Sequence, residues 1–174
     1  SAPSMGTKLV MPGPKLDGAS VYELLDTEKV TYTAGVPTVW LMLLQYMNAN
    51  KLSLPHLKVV VCGGSAMPRS MIKAFDDMGI ETRHAWGMTE MSPLGTLAAL
   101  QPEFAQLKGD AKLDVLSTQG FPPFMVEMKI TDDAGKKLPW DGKTFGRLKV
   151  RGPAVSGAYY KVPTKILDDE GFFD

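Results

Sequence analysis

The sequence predicts an α/β chain: a parallel-sheet βαβ layer over about residues 8–100, followed by a smaller antiparallel β subdomain. Three observations predict it. Lys58-Val59-Val60-Val61-Cys62 is a continuous apolar run between turn signals, the pattern of a strand buried on both faces of a parallel sheet. On either side of it, short strand-like runs alternate with segments of helical period. From Val126 onward the period becomes two, with Val126, Met128 and Ile130 alternating against Glu127, Lys129 and Thr131.

Taken in order, Lys8-Leu9-Val10-Met11 reads as a first strand, stopped by Pro12-Gly13-Pro14. Ser20 with Glu23 three residues later has the form of a capping box, opening a helix through Leu24 and Leu25. Val30-Thr31-Tyr32-Thr33 is β-branched and aromatic, hence a strand. Pro37 then suits a helix start. Val36, Val39, Trp40, Leu43 and Met47 give that helix its period, and Leu41, Met42 and Leu44 widen its apolar face, predicting deep burial. After the central strand, Met71, Ile72, Phe75 and Met78 form the inward face of a helix that ends at Gly79. Ile80 to Trp86 is the next strand. Pro102 to Leu116 reads as a loop with one or two short helices. Asp132-Asp133-Ala134-Gly135 is a hairpin-type turn, and Leu148 and Val150 alternate with Arg147, Lys149 and Arg151 in a second antiparallel strand. Ser117 to Pro123 marks the boundary, dividing the chain into residues 1–118 and 119–174.

Composition excludes several classes. Lys+Arg and Asp+Glu both number 19, so no net charge draws the chain to nucleic acid or to an anionic membrane. No apolar run reaches membrane-spanning length. A single cysteine, Cys62, rules out an internal disulfide and fits a reducing, cytoplasmic setting. With two histidines and that one cysteine, a closed His/Cys zinc site is excluded in practice. Cys62 inside its apolar strand reads as core, and His84 as a structural or pocket-wall residue.

The chemistry-bearing stretch is Trp86-Gly87-Met88-Thr89-Glu90. An aromatic plate, a bare backbone, a hydroxyl and a carboxylate stand within five residues, a set that suits a nucleotide and Mg²⁺. Alone it reads first as a strand end followed by a helix capped by Thr89, and only its company elsewhere in the chain favours the ligand site. Gly63-Gly64-Ser65-Ala66 follows the central strand. In open α/β sheets ligands collect beyond the carboxyl ends of the strands, where both segments fall. If the two strands are neighbours, a flat base fits between the glycines and the indole. There is no G-x-x-x-x-G-K-[ST] loop, no evident Ser-His-Asp or Cys-His set and no G-x-S-x-G elbow.

Gly63-Gly64-Ser65-Ala66-Met67, Trp86-Gly87-Met88-Thr89-Glu90, Gly146-Arg147-Leu148-Lys149-Val150-Arg151-Gly152-Pro153, Gly157-Ala158-Tyr159-Tyr160 and Gly171-Phe172-Phe173 occur in an order that resembles the adenylate-forming superfamily. That group comprises acyl-CoA synthetases, firefly-type luciferases and nonribosomal-peptide adenylation domains. Ala34-Gly35-Val36-Pro37-Thr38-Val39-Trp40 is similar to the fatty-acyl-CoA synthetase branch. The resemblance implies a ligase that joins a fatty acid or related carboxylate to the α-phosphate of Mg·ATP, releasing pyrophosphate, then passes the acyl group to CoA with release of AMP. It implies that Gly63, Gly64, Ser65 and Ala66 line the adenine, with Trp86 beside the base. Gly87 and Met88 continue that nucleotide-binding segment. Thr89 would contact the α-phosphate and Glu90 hold Mg²⁺; these two are the candidate catalytic residues. Ala85, Gly87 and Met88 would border the acyl group. Trp40 resembles a tryptophan that gates a fatty-acid tunnel, and reads equally as filling for a helix core.

The departures from the pattern are as informative. The superfamily's phosphate loop with its lysine belongs upstream of residue 1. Its ribose-holding Thr-Gly-Asp belongs after Phe173, so Asp174 is the residue before that motif and not the ribose ligand. The mobile C-terminal domain is absent as well. Arg147 stands where many relatives have glutamate. The expectation is therefore an internal fragment of a large N-terminal domain, inactive by itself. A non-catalytic nucleotide-binding or interaction module is the rival reading, as is an adenylation domain of luciferase-like or peptide-synthetase type. No nucleic-acid partner is expected, and a homo-oligomer is left open.

Overall fold

The computed structural model describes residues 3–174; the first two residues of the expected first domain lie outside them. The chain forms two compact units, Ser1–Ala85 with Ala98–Gln119, and Trp86–Leu97 with Gly120–Asp174.

In the first unit Asp17 caps helix α1 (Gly18–Thr27), its carboxylate accepting from Ser20 N at 3.0 Å and Ser20 Oγ at 2.8 Å. The cap lies three residues before the expected Ser20, which serves as Asp17's partner. The segment Lys8–Met11 is not a strand: Leu9 and Met11 are exposed and nothing pairs with their backbone in a sheet. Strand β1 (Tyr32–Gly35) leads through Pro37, at the first position of helix α2 (Pro37–Asn50), as expected. Trp40, Leu43 and Met47 bury one stripe of α2, but Leu41 and Met42 are exposed, and Val36 is an exposed residue at the capping position before the first turn, so the helix is less deeply covered than its composition predicts. Strand β2 (Val59–Cys62), helix α3 (Arg69–Asp77) and strand β3 (Glu81–Gly87) follow. Met71, Ile72 and Phe75 point inward; Met78, also expected there, is exposed because the helix ends before it and Gly79 turns the chain.

β1, β2 and β3 run parallel, with Gly35 opposite Cys62 and Cys62 opposite His84. Strand β4 (Leu94–Leu97) completes the sheet in the order β1-β2-β3-β4. Helix α4 (Gly109–Leu116) adds Leu113 and Leu116 to a core built on Trp40, Leu43, Val60, Cys62, Ile72 and Phe75. Burial pushes the Cys62 thiol up to about 11, so it is inert core, as its setting in the sequence indicates. A shallow groove of about 280 Å³ lies between α2 and α3, lined by Leu41, Leu44, Pro68 and Met71 among others; none of the candidate site residues lines it.

In the second unit, strands β5 (Glu127–Thr131) and β6 (Arg147–Arg151) pair antiparallel as expected, Glu127 opposite Arg151 and Thr131 opposite Arg147. Asp132 builds the following turn, its Oδ1 accepting from Ala134 N and Lys136 N. The predicted facing is only partly realised. Lys129 and Lys149 are buried, and Leu148 is exposed. The segment around Asp168–Phe173 covers the lysine face. Asp168 accepts from Phe172 N at 2.9 Å and Glu170 N at 3.0 Å, and pairs with Lys129 at 3.1 Å and Lys149 at 3.4 Å. The Phe172 ring lies 4.1 Å from Lys129 Nζ and 4.4 Å from the Arg151 guanidinium. The Phe172 N–H, assisted by Lys129, holds the Asp168 carboxyl well below the usual carboxylate range despite its desolvation. Phe173 extends the ladder by exchanging two hydrogen bonds with Val150. Among the described residues no helix is long and apolar enough to cross a membrane.

Candidate functional site

Gly63-Gly64-Ser65-Ala66 begins where β2 ends, and Trp86-Gly87 closes β3. In the first unit, Gly63 N donates to Gly35 O at 3.1 Å, and a β-carbon on Gly63 would stand 3.3 Å from Ala85 O. The loop Gly63–Pro68 thus lies against the end of β3. Gly64, Ser65 and Ala66 are exposed, so their backbone is open to a ligand. Met67 closes the loop by inserting into the core, and its N–H donates to His84 Nε2 at 3.2 Å.

His84 is therefore the anchor of the glycine loop. Its ring is buried, and burial pulls its pKa below the usual value, which keeps Nε2 available as an acceptor at neutral pH. A folded pKa below about 6.5 means that the unfolded chain takes up the proton first on acidification. The stability tied to the neutral ring is present above that pH and is lost as pH falls through the folded value. The urea midpoint of the wild type is expected to drop more between about pH 7 and about pH 5.5 than that of His84→Gln. Equal drops in the two proteins would contradict the anchor.

In the second unit, Trp86 is half-buried, and its ring lies against Gly95, where a β-carbon would come within 2.5 Å of Cζ3. Trp86 and Met88 pack on the small core of Met91, Val150 and Phe173. A β-carbon on Gly87 would fall 1.8 Å from Pro93 O, so only glycine lets the two backbones approach while Met88 N donates to Pro93 O at 2.9 Å. Thr89 opens a single 3₁₀ turn, Thr89–Met91, and is exposed; Met88, not Thr89, stands at the capping position. Glu90 is the most constrained residue of the stretch. Its carbonyl accepts from Ser156 N at 2.7 Å, and its Oε1 accepts from the Tyr159 hydroxyl at 2.6 Å. That hydroxyl holds the Glu90 carboxyl below its ordinary pKa, and the carboxylate in turn raises the phenol of Tyr159.

Each unit brings part of the candidate set together. The first gathers Gly63, Gly64, Ser65 and Ala66 with Ala85; the second gathers Trp86, Gly87, Met88, Thr89 and Glu90. Trp40 sits in the core of the first unit, 2% exposed, with its indole Nε1 donating to Val61 O at 3.2 Å. Ser156 and Tyr159 are site residues that the sequence reading did not single out by role. For Tyr159 the signal was the Gly157-Ala158-Tyr159-Tyr160 motif, which carried the resemblance without a function attached; Ser156 lies just before it.

Among the described residues no group of three or more His, Cys, Asp or Glu stands ready to enclose a metal. Mg²⁺ in phosphate chemistry is commonly held by one or two carboxylates together with substrate phosphates. A single carboxylate, ordered by the Tyr159 hydroxyl on Oε1, fits that mode of binding.

The chain matches the family of AMP-binding enzymes over residues 2–160, and it belongs to that family. It is 40% identical, over 99% of its length, to a long-chain-fatty-acid–CoA ligase of Thermus thermophilus. It is 44% identical, again over 99% of its length, to a medium-chain-fatty-acid–CoA ligase of Ectopseudomonas oleovorans. In both cases it spans 32% of the relative, about a third of its length. The crystal structure of the N-terminal domain of FACL13 from Mycobacterium tuberculosis, bound to an inhibitor, has the same fold. It superposes with a TM-score of 0.75 at 23% identity, covering 92% of this chain and 38% of that one.

Proposed function

We propose that this chain is the nucleotide-facing part of an AMP-forming acid–CoA ligase that activates a fatty acid. The observation that carries it is Glu90: a carboxylate just beyond the end of parallel strand β3, held by Tyr159 on Oε1 and by Ser156 on its backbone carbonyl. The identity to fatty-acid–CoA ligases over nearly the whole chain supports the same reading.

In the reaction, a carboxylate oxygen of the acid attacks the α-phosphorus of ATP. The bond to the β-phosphate breaks, pyrophosphate leaves, and acyl-AMP remains. The thiolate of CoA then attacks the acyl carbon, and AMP leaves with the C–O electron pair. By motif position, Gly63, Gly64, Ser65 and Ala66 take the adenine, and Trp86 offers its ring to the base. Thr89 donates its hydroxyl to the α-phosphate. Ala85, Gly87 and Met88 border the acyl carboxylate, where the absence of a side chain at Gly87 keeps the backbone open. Glu90 is the residue to hold Mg²⁺, which, when bound, offsets charge on the transferring phosphoryl group. The resemblance offers Trp40 for an acyl tunnel; its burial and its bond to Val61 O favour the other reading, a filling of the core. The cytoplasmic setting belongs to the same reading and rests on Cys62 being a free thiol.

The 174-residue chain by itself is expected to bind ATP weakly and to catalyse no fatty-acid-dependent ATP–pyrophosphate exchange, because the superfamily's lysine-bearing phosphate loop and ribose-holding Thr-Gly-Asp are not among its residues. The full-length protein that carries it is expected to convert a medium- or long-chain fatty acid, ATP and CoA into the thioester and AMP, followed by mass spectrometry. Exchange by the isolated chain would overturn the first expectation. Release of ADP instead of AMP, or no thioester from any fatty acid, would overturn the second.

A further inference from the structure

Tyr159 lies 69 residues beyond Glu90 in sequence, yet the two meet at 2.6 Å within one compact unit. Two further contacts fix the geometry. Ser156 N holds the Glu90 carbonyl at 2.7 Å, so the loop that carries Tyr159 also pins the backbone of Glu90. The Tyr159 ring stands edge-on to Phe173, with centroids 6.4 Å apart and planes at 76°. Phe173 in turn exchanges two backbone hydrogen bonds with Val150 of β6. The phenol is thus mounted on the β5–β6 ladder through Phe173, and its hydroxyl is aimed at one carboxylate oxygen of Glu90.

A glutamate on a one-turn helix has three side-chain torsions, which a solvent-exposed carboxylate samples freely. A donor on Oε1 selects one arrangement of the carboxylate. Groups that orient a metal-binding carboxylate in this way commonly matter almost as much as the carboxylate itself.

We propose that Tyr159 is a positioning residue for the magnesium-holding carboxylate: its hydroxyl saturates Glu90 Oε1 and presents Oε2 to the divalent cation that accompanies ATP. This rests on Glu90 as the magnesium-holding residue. The test uses the full-length protein, with Tyr159→Phe and Glu90→Gln made separately. Tyr159→Phe keeps the ring on Phe173 and removes only the donor, and Tyr159 is 42% exposed, so the fold is retained; the urea midpoint checks this. Two quantities are read: Mn²⁺ binding in the presence of a non-hydrolysable ATP analogue, by electron paramagnetic resonance, and the Mg²⁺ concentration giving half-maximal ATP–pyrophosphate exchange. Tyr159→Phe is expected to weaken Mn²⁺ binding and to raise the Mg²⁺ requirement, each about 10-fold, with the KM for the acid unchanged. If Glu90→Gln weakens Mn²⁺ binding and Tyr159→Phe leaves it unchanged or tightens it, the role of Tyr159 is overturned while that of Glu90 stands. If neither substitution alters Mn²⁺ binding, the assignment of Glu90 fails, and Tyr159 falls with it.

Discussion

Glu90→Gln in the full-length protein is expected to slow adenylation by about 100-fold or more, because an amide gives up the charge that a hard cation requires. The substitution is nearly isosteric. The amide oxygen still accepts from Tyr159, and the backbone bond from Ser156 to the Glu90 carbonyl does not involve the side chain. Folding stability should therefore hold while activity falls. The deficit is expected in acyl-AMP formation, with excess Mg²⁺ recovering part of it. Rapid-quench measurement of acyl-AMP at limiting Mg²⁺ checks this. A rate equal to the wild type would remove Glu90 from the chemistry.

Trp40→Ala is expected to destabilise the first unit by about 4 kcal/mol, in the range found for large aromatic deletions in cores. The indole is fully packed: it lies under Gly35, where a β-carbon would meet Cζ2 at 2.7 Å, and its Nε1–H is the partner of Val61 O. Truncation leaves a cavity in the buried cluster that also holds Leu43 and Cys62, and takes the indole donor from the Val61 carbonyl. Since domains of this size are stable by only about 5–15 kcal/mol, the loss is a large fraction of the whole. Urea denaturation gives the number. A loss below about 1 kcal/mol, accompanied by a changed preference for acyl chain length, would assign the indole to an acyl tunnel in place of the core.

How far the molecule could be read from its residues depends on the range of the interactions involved. The apolar run Val59–Cys62, the helix start at Pro37 and the alternation of β5 are local patterns, and each produced the element it predicts. The misses share a cause. Lys8–Met11 has strand-like composition, but nothing pairs with it as a strand. Asp17 and Ser20 are both good capping residues, and only the fold decides that the carboxylate caps and the serine answers. The face of β5 depends on Asp168 and Phe172, some forty residues away, which make burial of Lys129 tolerable. β4 is four residues long, contains Gly95, and follows a proline, so no periodicity announces it. At the candidate site, the motif at Trp86–Glu90 is compact enough to see. Its support from Ser156 and Tyr159 crosses 66 and 69 positions of sequence and becomes visible only in the folded chain.

The most direct measurement is ATP–pyrophosphate exchange by the full-length protein in the absence of CoA, with and without a fatty acid, for the wild type and Glu90→Gln. Exchange that requires the fatty acid and Mg²⁺, proceeds without CoA, and collapses in Glu90→Gln is the predicted result. Exchange that is absent with every acid, that requires CoA, or that persists undiminished in Glu90→Gln would contradict it.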